Sequence, residues 1–278
     1  MSAAENDFDI VIEPKKNIGH YRNELWKFRE LFYFLAWRDL LVRYKQTAVG
    51  ISWSIIRPLL TLIVFTVVFG TIAKLSSGGI PYALLVCSAM IPWQFFANSF
   101  TEAGNSLISN SNLLSKIYFP RLIIPASSMI VALVDFLISL FLLAGLMIYY
   151  SFVPGWQIVM LPLFLLLGVI VSFGSGILIA AINVKYRDFR IIVPFIVQIG
   201  LFISPVGFSS AIIPEKFRLL YSLNPMVGVI DGFRWCILGG SSPIYLPGFA
   251  LSVCLSLVLL VAGLKYFRST EKSFADVI

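Results

Sequence analysis

One carboxylate in this chain lies where carboxylates are expensive. Asp135 sits inside the apolar run Leu122–Tyr150, 14 residues after Arg121, or roughly 21 Å along a helix. A charge at the centre of a spanning helix costs about 2.5–3.5 kcal/mol on the insertion scale. Asp135 must therefore face protein or water. It can bond a neighbouring helix or a subunit partner, or it can relay protons. A second group combines amides with rings. Gln94 and Asn98 share a helical face at i, i+4, with Thr101 one turn further. Trp93, Phe96 and Phe100 form an adjacent aromatic face. Gln198 and Phe202 repeat the pairing of amide and ring, and Phe65 and Phe69 add two more rings. The competing reading of each ring is plain helix packing.

Other chemistry is absent. There is no G-x-x-x-x-G-K-[ST] phosphate loop, so the chain is expected to bind no ATP or Mg²⁺ itself. No nucleophile–base pairing stands out, and an enzyme is not expected. The single histidine, His20, rules out a histidine-based metal site. Cys87, Cys236 and Cys254 are scattered without a CxxC pair and read as small apolar residues.

These residues need a membrane to make sense. The chain is 59% hydrophobic and 13% charged over 278 residues, against about 25% charged in soluble domains. Its mean hydropathy is +0.90. The long, continuous apolar runs exclude a β-barrel. The composition predicts an all-α integral membrane protein with six spans: about Ser54–Ala73, Tyr82–Phe100, Leu122–Tyr150, Ile158–Ile182, Ile191–Phe208 and Tyr245–Phe267. Residues 1–53 are expected to be cytoplasmic, 54–267 the transmembrane domain, and 268–278 a cytoplasmic tail. Acidic residues at Glu5, Asp7 and Asp9, with no early apolar core, predict no cleavable leader.

Charge sets the orientation. Seventeen of the 21 Lys and Arg fall on one side of this arrangement; the other side has Lys74, Lys216, Arg218 and Arg234. The richer side is cytoplasmic, and both termini with it. The same rule accounts for the net charge of +7 without nucleic acid.

Three further segments stand out. Glu24–Tyr44 carries Leu25, Phe28, Phe32 and Leu35 near one face and is expected to lie in the inner interface, that face in lipid. Ser209–Ser242 holds two short apolar pieces joined at Asn224–Pro225, and reads as re-entrant helices lining an exit or as a surface lid. Ser204 and Pro205, near the outer end of the fifth span, are a candidate hinge or gate feeding it. The neighbours Arg38–Asp39 and Arg187–Asp188 are expected to tie the inner ends of spans together, or simply to be solvated. Ser172, Gly176 and Ala180 make a small-residue stripe for close helix contact.

The wording of the chain also resembles one family. RDLLVRYKQTAVGISWSIIRPL (Arg38–Leu59), FPRLIIPASSMIVALVDF (Phe119–Phe136), NVKYRDFRIIVPFIVQIGLFISPVGFS (Asn183–Ser209), NPMVGVIDGFRWCILG (Asn224–Gly239) and EKSFADVI (Glu271–Ile278) occur in order. They are similar to the membrane subunits of type-2 ABC exporters of bacterial surface polysaccharide, those for O-antigen and wall teichoic acid. The resemblance implies a homodimer on two copies of a separate ATPase, which would use the ATP and Mg²⁺. The substrate would be a lipid-linked glycan crossing the bacterial cytoplasmic membrane. It places ATPase coupling on the interfacial helix, with Arg38, Asp39 and Arg43, and on the loop Ser106–Tyr118, with Asn112, Leu113, Leu114 and Lys116. Leu113, Leu114 and Ile117 are the expected docking face. Sugars present hydroxyls and apolar C–H faces, so the amides and rings named above are the expected conduit lining. Rival readings are a type-2 exporter of drugs or small lipids, and a gradient-driven transporter or channel.

Overall fold

The computed structural model describes residues 18–45, 52–186, 188–239, 243–271 and 274. Every regular element among them is helical. Two helices precede the bilayer: α1 (Ile18–Lys27) and α2 (Arg29–Lys45). The first span is α3 (Ser52–Phe65), which continues as π-helical turns over Thr66–Ile72. Then follow α4 (Tyr82–Ser109), the short α5 (Ser111–Lys116) and α6 (Ile123–Tyr149). A 3₁₀ turn at Trp156–Met160 leads into α7 (Leu161–Lys185). The chain closes with α8 (Phe189–Ile203), α9 (Glu215–Tyr221), α10 (Pro225–Leu238) and α11 (Leu246–Thr270).

Five helical segments are long and apolar enough to cross a membrane. α4 is the centre of the bundle. In its most apolar stretch 78% of residues are buried, against 17% for α3. α4 packs on α6, α7 and α10, and α11 lies against α7. The small-residue stripe is what lets α7 approach: a Cβ on Gly176 would stand 2.8 Å from that of Ala103 on α4. The other face of α7 meets α11 still more closely. A Cβ on Gly174 would lie 2.6 Å from the Leu260 backbone nitrogen. Backbone cannot yield as a side chain does. Gly174→Ala is expected to cost about 1–3 kcal/mol by overpacking, read as a lower midpoint of thermal unfolding in detergent. An unchanged midpoint would mean that α11 is free to shift.

The fifth span departs from expectation. α8 ends at Ile203, five residues before the expected Phe208. Its 15 residues reach only about 22 Å, less than a bilayer core of about 30 Å. Pro205 has no N–H to continue the helix. Ser204 turns the chain to extended backbone, with ψ 152°. Irregular backbone at such depth survives only where its polar groups are satisfied. α10 meets that need, as described below.

α10 begins with two local signals legible in the sequence. The Asn224 side chain accepts from Met226 N at 3.0 Å as N-cap, and Pro225 occupies the first helical position. It ends at Gly239, whose φ of +65° suits glycine.

The apolar stripe of α1 and α2 has a different partner from the one expected. Leu25, Phe28, Phe32 and Leu35 do not enter lipid. They pack on an inner cluster with Leu114, Phe119, Ile123, Phe267 and Phe274. The opposite face is exposed and aromatic: Trp26, Tyr33, Phe34 and Trp37, with Tyr33 and Trp37 stacked at 6.5 Å. Periodicity reveals an apolar face, but what covers it depends on the rest of the fold.

Candidate functional site

α2 ends at a polar joint. Arg43 donates to Asp135 Oδ2 at 2.5 Å and to Glu102 Oε1 at 3.3 Å. Tyr44 and Ser54 both donate to Asp135 Oδ1 at 2.7 Å. One carboxylate thus ties together α2, the first span and α6, with α4 joined through Glu102. Burial, and then the Asp135 carboxylate, push the Tyr44 hydroxyl up to about 12, so it remains a donor at neutral pH. A second tie lies beside it. Arg38 bonds Asp39 at 2.7 Å and Asn110, at the end of α4, also at 2.7 Å. Of the other expected pair, Arg187 lies outside the described residues. Asp188 is exposed; its carbonyl, not its side chain, receives the first amides of α8.

Above the joint is a cavity of about 830 Å³ between the end of α2 and helices α3, α4, α6 and α8. On α4 it runs from Met90 to Glu102, about 18 Å. Trp93, Gln94, Asn98 and Gln198 line it, as does Asp135. Four expected lining rings do not. Phe65 and Phe69 pack on each other and over Gly207. Phe96 stacks between Trp93 and Phe100. Phe202 is 61% exposed on α8. Rings at helical spacing serve packing as readily as a conduit, and the bundle used these for packing or for its outer surface.

The cavity also holds residues that the sequence reading passed over: Trp53, Arg57, Thr61, Phe95 and Phe136. The signal for one face was present. Ser54, Arg57, Pro58 and Thr61 recur at i, i+3, i+4 and i+7, the spacing of one helical stripe.

The expected docking face on α5 needs correction. Leu114 is 5% exposed and belongs to the inner cluster. Leu113 also packs against that cluster. Asn112, Ser115, Lys116 and Ile117 are exposed there. Arg43 likewise points to Asp135 and Glu102 rather than to a free inner surface.

At the end of the bundle away from α1, Arg234 is not a loop cation. It is buried and donates to three carbonyls: Leu85 at 3.3 Å, Phe208 at 2.7 Å and Val206 at 3.1 Å. Tyr82 donates to the Gly207 carbonyl and Tyr221 to that of Ile203. Asn224 Nδ2 bonds Ser204 Oγ at 2.9 Å. The candidate gate, Ser204, Pro205, Asn224 and Pro225, is therefore one hydrogen-bonded unit clamped by α4, α9 and α10. Arginine enters charge counts as a surface residue, so nothing in its sequence position announced this burial.

The segment after α11 is clasped at the end of the bundle that carries α1. Glu271 Oε1 accepts from the Arg121 amide at 2.9 Å and from the Tyr21 hydroxyl at 3.2 Å. Phe274 packs edge-on to Phe267. Burial pushes the Glu271 carboxyl above the usual carboxylate range, against hydrogen bonds that favour its anion. A group that holds its proton more tightly in the folded state stabilises that state more as pH falls. The clasp is expected to strengthen as pH drops through the raised value and to weaken as pH climbs back through it. Below the ordinary carboxylate value the gain levels off. Thermal unfolding from mildly acidic to mildly alkaline buffer, wild type minus Glu271→Gln, reads this contribution. A difference curve without slope would remove it.

A cavity with amides and charged groups in its wall, inside an apolar helical bundle and joined at one end to a helix outside the spans, fits a membrane transport subunit. The chain belongs to the ABC-2 type transporter family, whose profile matches residues 30–238. It is 28% identical over 277 residues to an O-antigen export system permease protein RfbA of Klebsiella pneumoniae, covering 97% of this chain and all of that one. It is 30% identical over 257 residues to an RfbA permease of Myxococcus xanthus, 92% of this chain and 98% of that one. An inner membrane transport permease YadH of Escherichia coli K12 is 23% identical over 235 residues, 76% and 90% of the two chains. The family is one of transport permeases, and the chain is a multi-pass membrane protein.

Proposed function

We propose that two copies of this chain form the membrane half of an ATP-driven exporter of lipid-linked polysaccharide, O-antigen-like or teichoic-acid-like. The observation that carries this reading is the junction of α2 with the cavity through Asp135. A helix at the inner surface, bonded to the walls of a polar path, can pass a partner's motion to those walls as rigid-body displacement. The cavity itself suits a glycan. Gln94, Asn98 and Gln198 offer donors and acceptors to hydroxyls, and Trp53 and Trp93 offer faces to C–H groups.

The sequence lacks a phosphate loop, so ATP and Mg²⁺ belong to a separate ATPase, one copy under each subunit. Its contact is the inner surface around Arg38, Asp39, Asn112, Lys116 and Ile117. The excess of Lys and Arg puts that surface and both termini in the cytoplasm. Relatives named as O-antigen permeases align over nearly the full chain, which supports the choice of substrate. The exposed apolar faces of α3 and α8, including Ile63, Val64, Phe195 and Phe202, meet lipid or the second copy.

Two measurements together test the reading. The chain should copurify with an ABC ATPase. Surface glycan should be lost, and its lipid-linked precursor should accumulate inside, when that ATPase is disabled by a phosphate-loop lysine substitution. Export that continues under those conditions would point to a gradient-driven carrier. Normal surface glycan in cells lacking the chain would point to a smaller lipid or drug as substrate.

A further inference from the structure

Arg57 makes no ion pair and no side-chain hydrogen bond with the described residues. It lies near the start of α3, inside a segment apolar enough to span, and lines the cavity beside Ser54, Pro58 and Thr61. Arginine within a span is retained where it meets water or a partner of opposite charge. The other arginine of the cavity, Arg43, is engaged by both of the cavity's acids, Asp135 and Glu102. Nearby amides on Gln94, Asn98 and Gln198 line the same space. Depth narrows the ligand further. Trp53 is exposed at the inner end of α3 and lines the mouth. Such indoles sit at headgroup level, and Arg57 is one turn further in, about 6 Å. An anion at that level is the phosphate of a lipid, and the planar guanidinium matches two phosphate oxygens at once.

We propose that Arg57 is a phosphate-binding residue of the cavity, holding the phosphate of a lipid-anchored ligand at the inner headgroup level. The inference rests on the cavity being the substrate path. The phosphate belongs either to the substrate's own lipid linkage or to a bilayer phospholipid. The contact would align an amphiphile so that its polar part meets the amides while its chain remains in the bilayer.

The test uses the full chain in phosphatidylcholine nanodiscs, with bound ligand read by native mass spectrometry. One arm adds farnesyl diphosphate, a second adds phosphatidylglycerol, and a control adds farnesol. Wild type should retain a phosphate-bearing probe and not farnesol. Arg57→Gln should bind about tenfold more weakly, the usual worth of a charge-assisted contact. Arg57→Lys keeps the charge but not the two-pronged fit and should fall between, which separates a binding role from a folding defect. Retention in the diphosphate arm alone assigns the phosphate to a prenyl-type linkage. Retention in the phosphatidylglycerol arm alone assigns it to the bilayer. Equal retention by wild type and both variants, or equal retention of farnesol, would overturn the proposal. Intact phosphate binding in a protein that exports no glycan would count against the export reading and leave Arg57 in place.

Discussion

Asp135→Ala is expected to destabilise the protein and to uncouple the interfacial helix from the cavity. Removing one partner of a buried pair costs about 3–5 kcal/mol, because the other charge is left without compensation. Asp135 is well buried, while Arg43 is about a third exposed and keeps Glu102. The lower end, about 3 kcal/mol, is therefore expected. For a chain of this length that is roughly 6–12 °C in unfolding midpoint. Asp135→Asn should do less, since the amide oxygen still accepts from Tyr44 and Ser54. A double-mutant cycle with Arg43→Ala measures the link directly, with a coupling of about 1–3 kcal/mol expected. Additive effects would mean that the joint carries no energy. The same Asn variant separates two roles for this carboxylate. As an anchor, it should support export at a reduced rate. Complete loss of export in a well-folded Asn protein would favour a proton relay.

Arg234→Met is expected to be more damaging still. Methionine keeps the apolar stem of the side chain and removes every donor. Three carbonyls, of Leu85, Val206 and Phe208, lose their partner. An unsatisfied acceptor costs about 1–3 kcal/mol when buried, so three sum to about 3–9 kcal/mol. Replacing buried ion pairs with apolar residues is often harmless. Here the acceptors are backbone and cannot be replaced with the arginine. Tyr82→Phe removes a single donor to Gly207 and should cost only about 1 kcal/mol. Thermal unfolding of the purified variants ranks them. An Arg234→Met protein as stable as Tyr82→Phe would show that water satisfies these carbonyls, and the clamp on the gate would fall.

Much of the architecture was legible because a bilayer punishes ambiguity. Long runs without charge can only be spans, and Asn224–Pro225 marked the start of α10 through capping chemistry that needs no tertiary contact. The fifth span misled because its run to Phe208 carries no charge. Hydropathy reports solubility in lipid, and it cannot report that Pro205 ends the helix while α10 supplies its missing bonds. Gln94, Asn98 and Gln198 line the cavity with Trp93, and the signal for the amides was that they are costly in an apolar run unless they face such a space. Phe65, Phe69, Phe96 and Phe202 lie outside that cavity, and their spacing could not say so because a ring is equally at home in packing, in lipid or on a conduit wall.

The sequence by itself determined the solvent of this protein, its α-helical class, the sites of most helices and the side expected to face the cytoplasm. Each follows from transfer free energies or local capping, and none needs to know which helix touches which. Only the tertiary structure decided that Asp135 is joined to Arg43, Tyr44 and Ser54, that Arg234 is buried beneath the gate, and that the stripe on α1 and α2 rests on protein. Those outcomes depend on residues far apart in the chain, 149 positions in the case of Arg234 and Leu85. A hydrogen bond or a packed face is defined by its partner, and the partner is chosen by the fold.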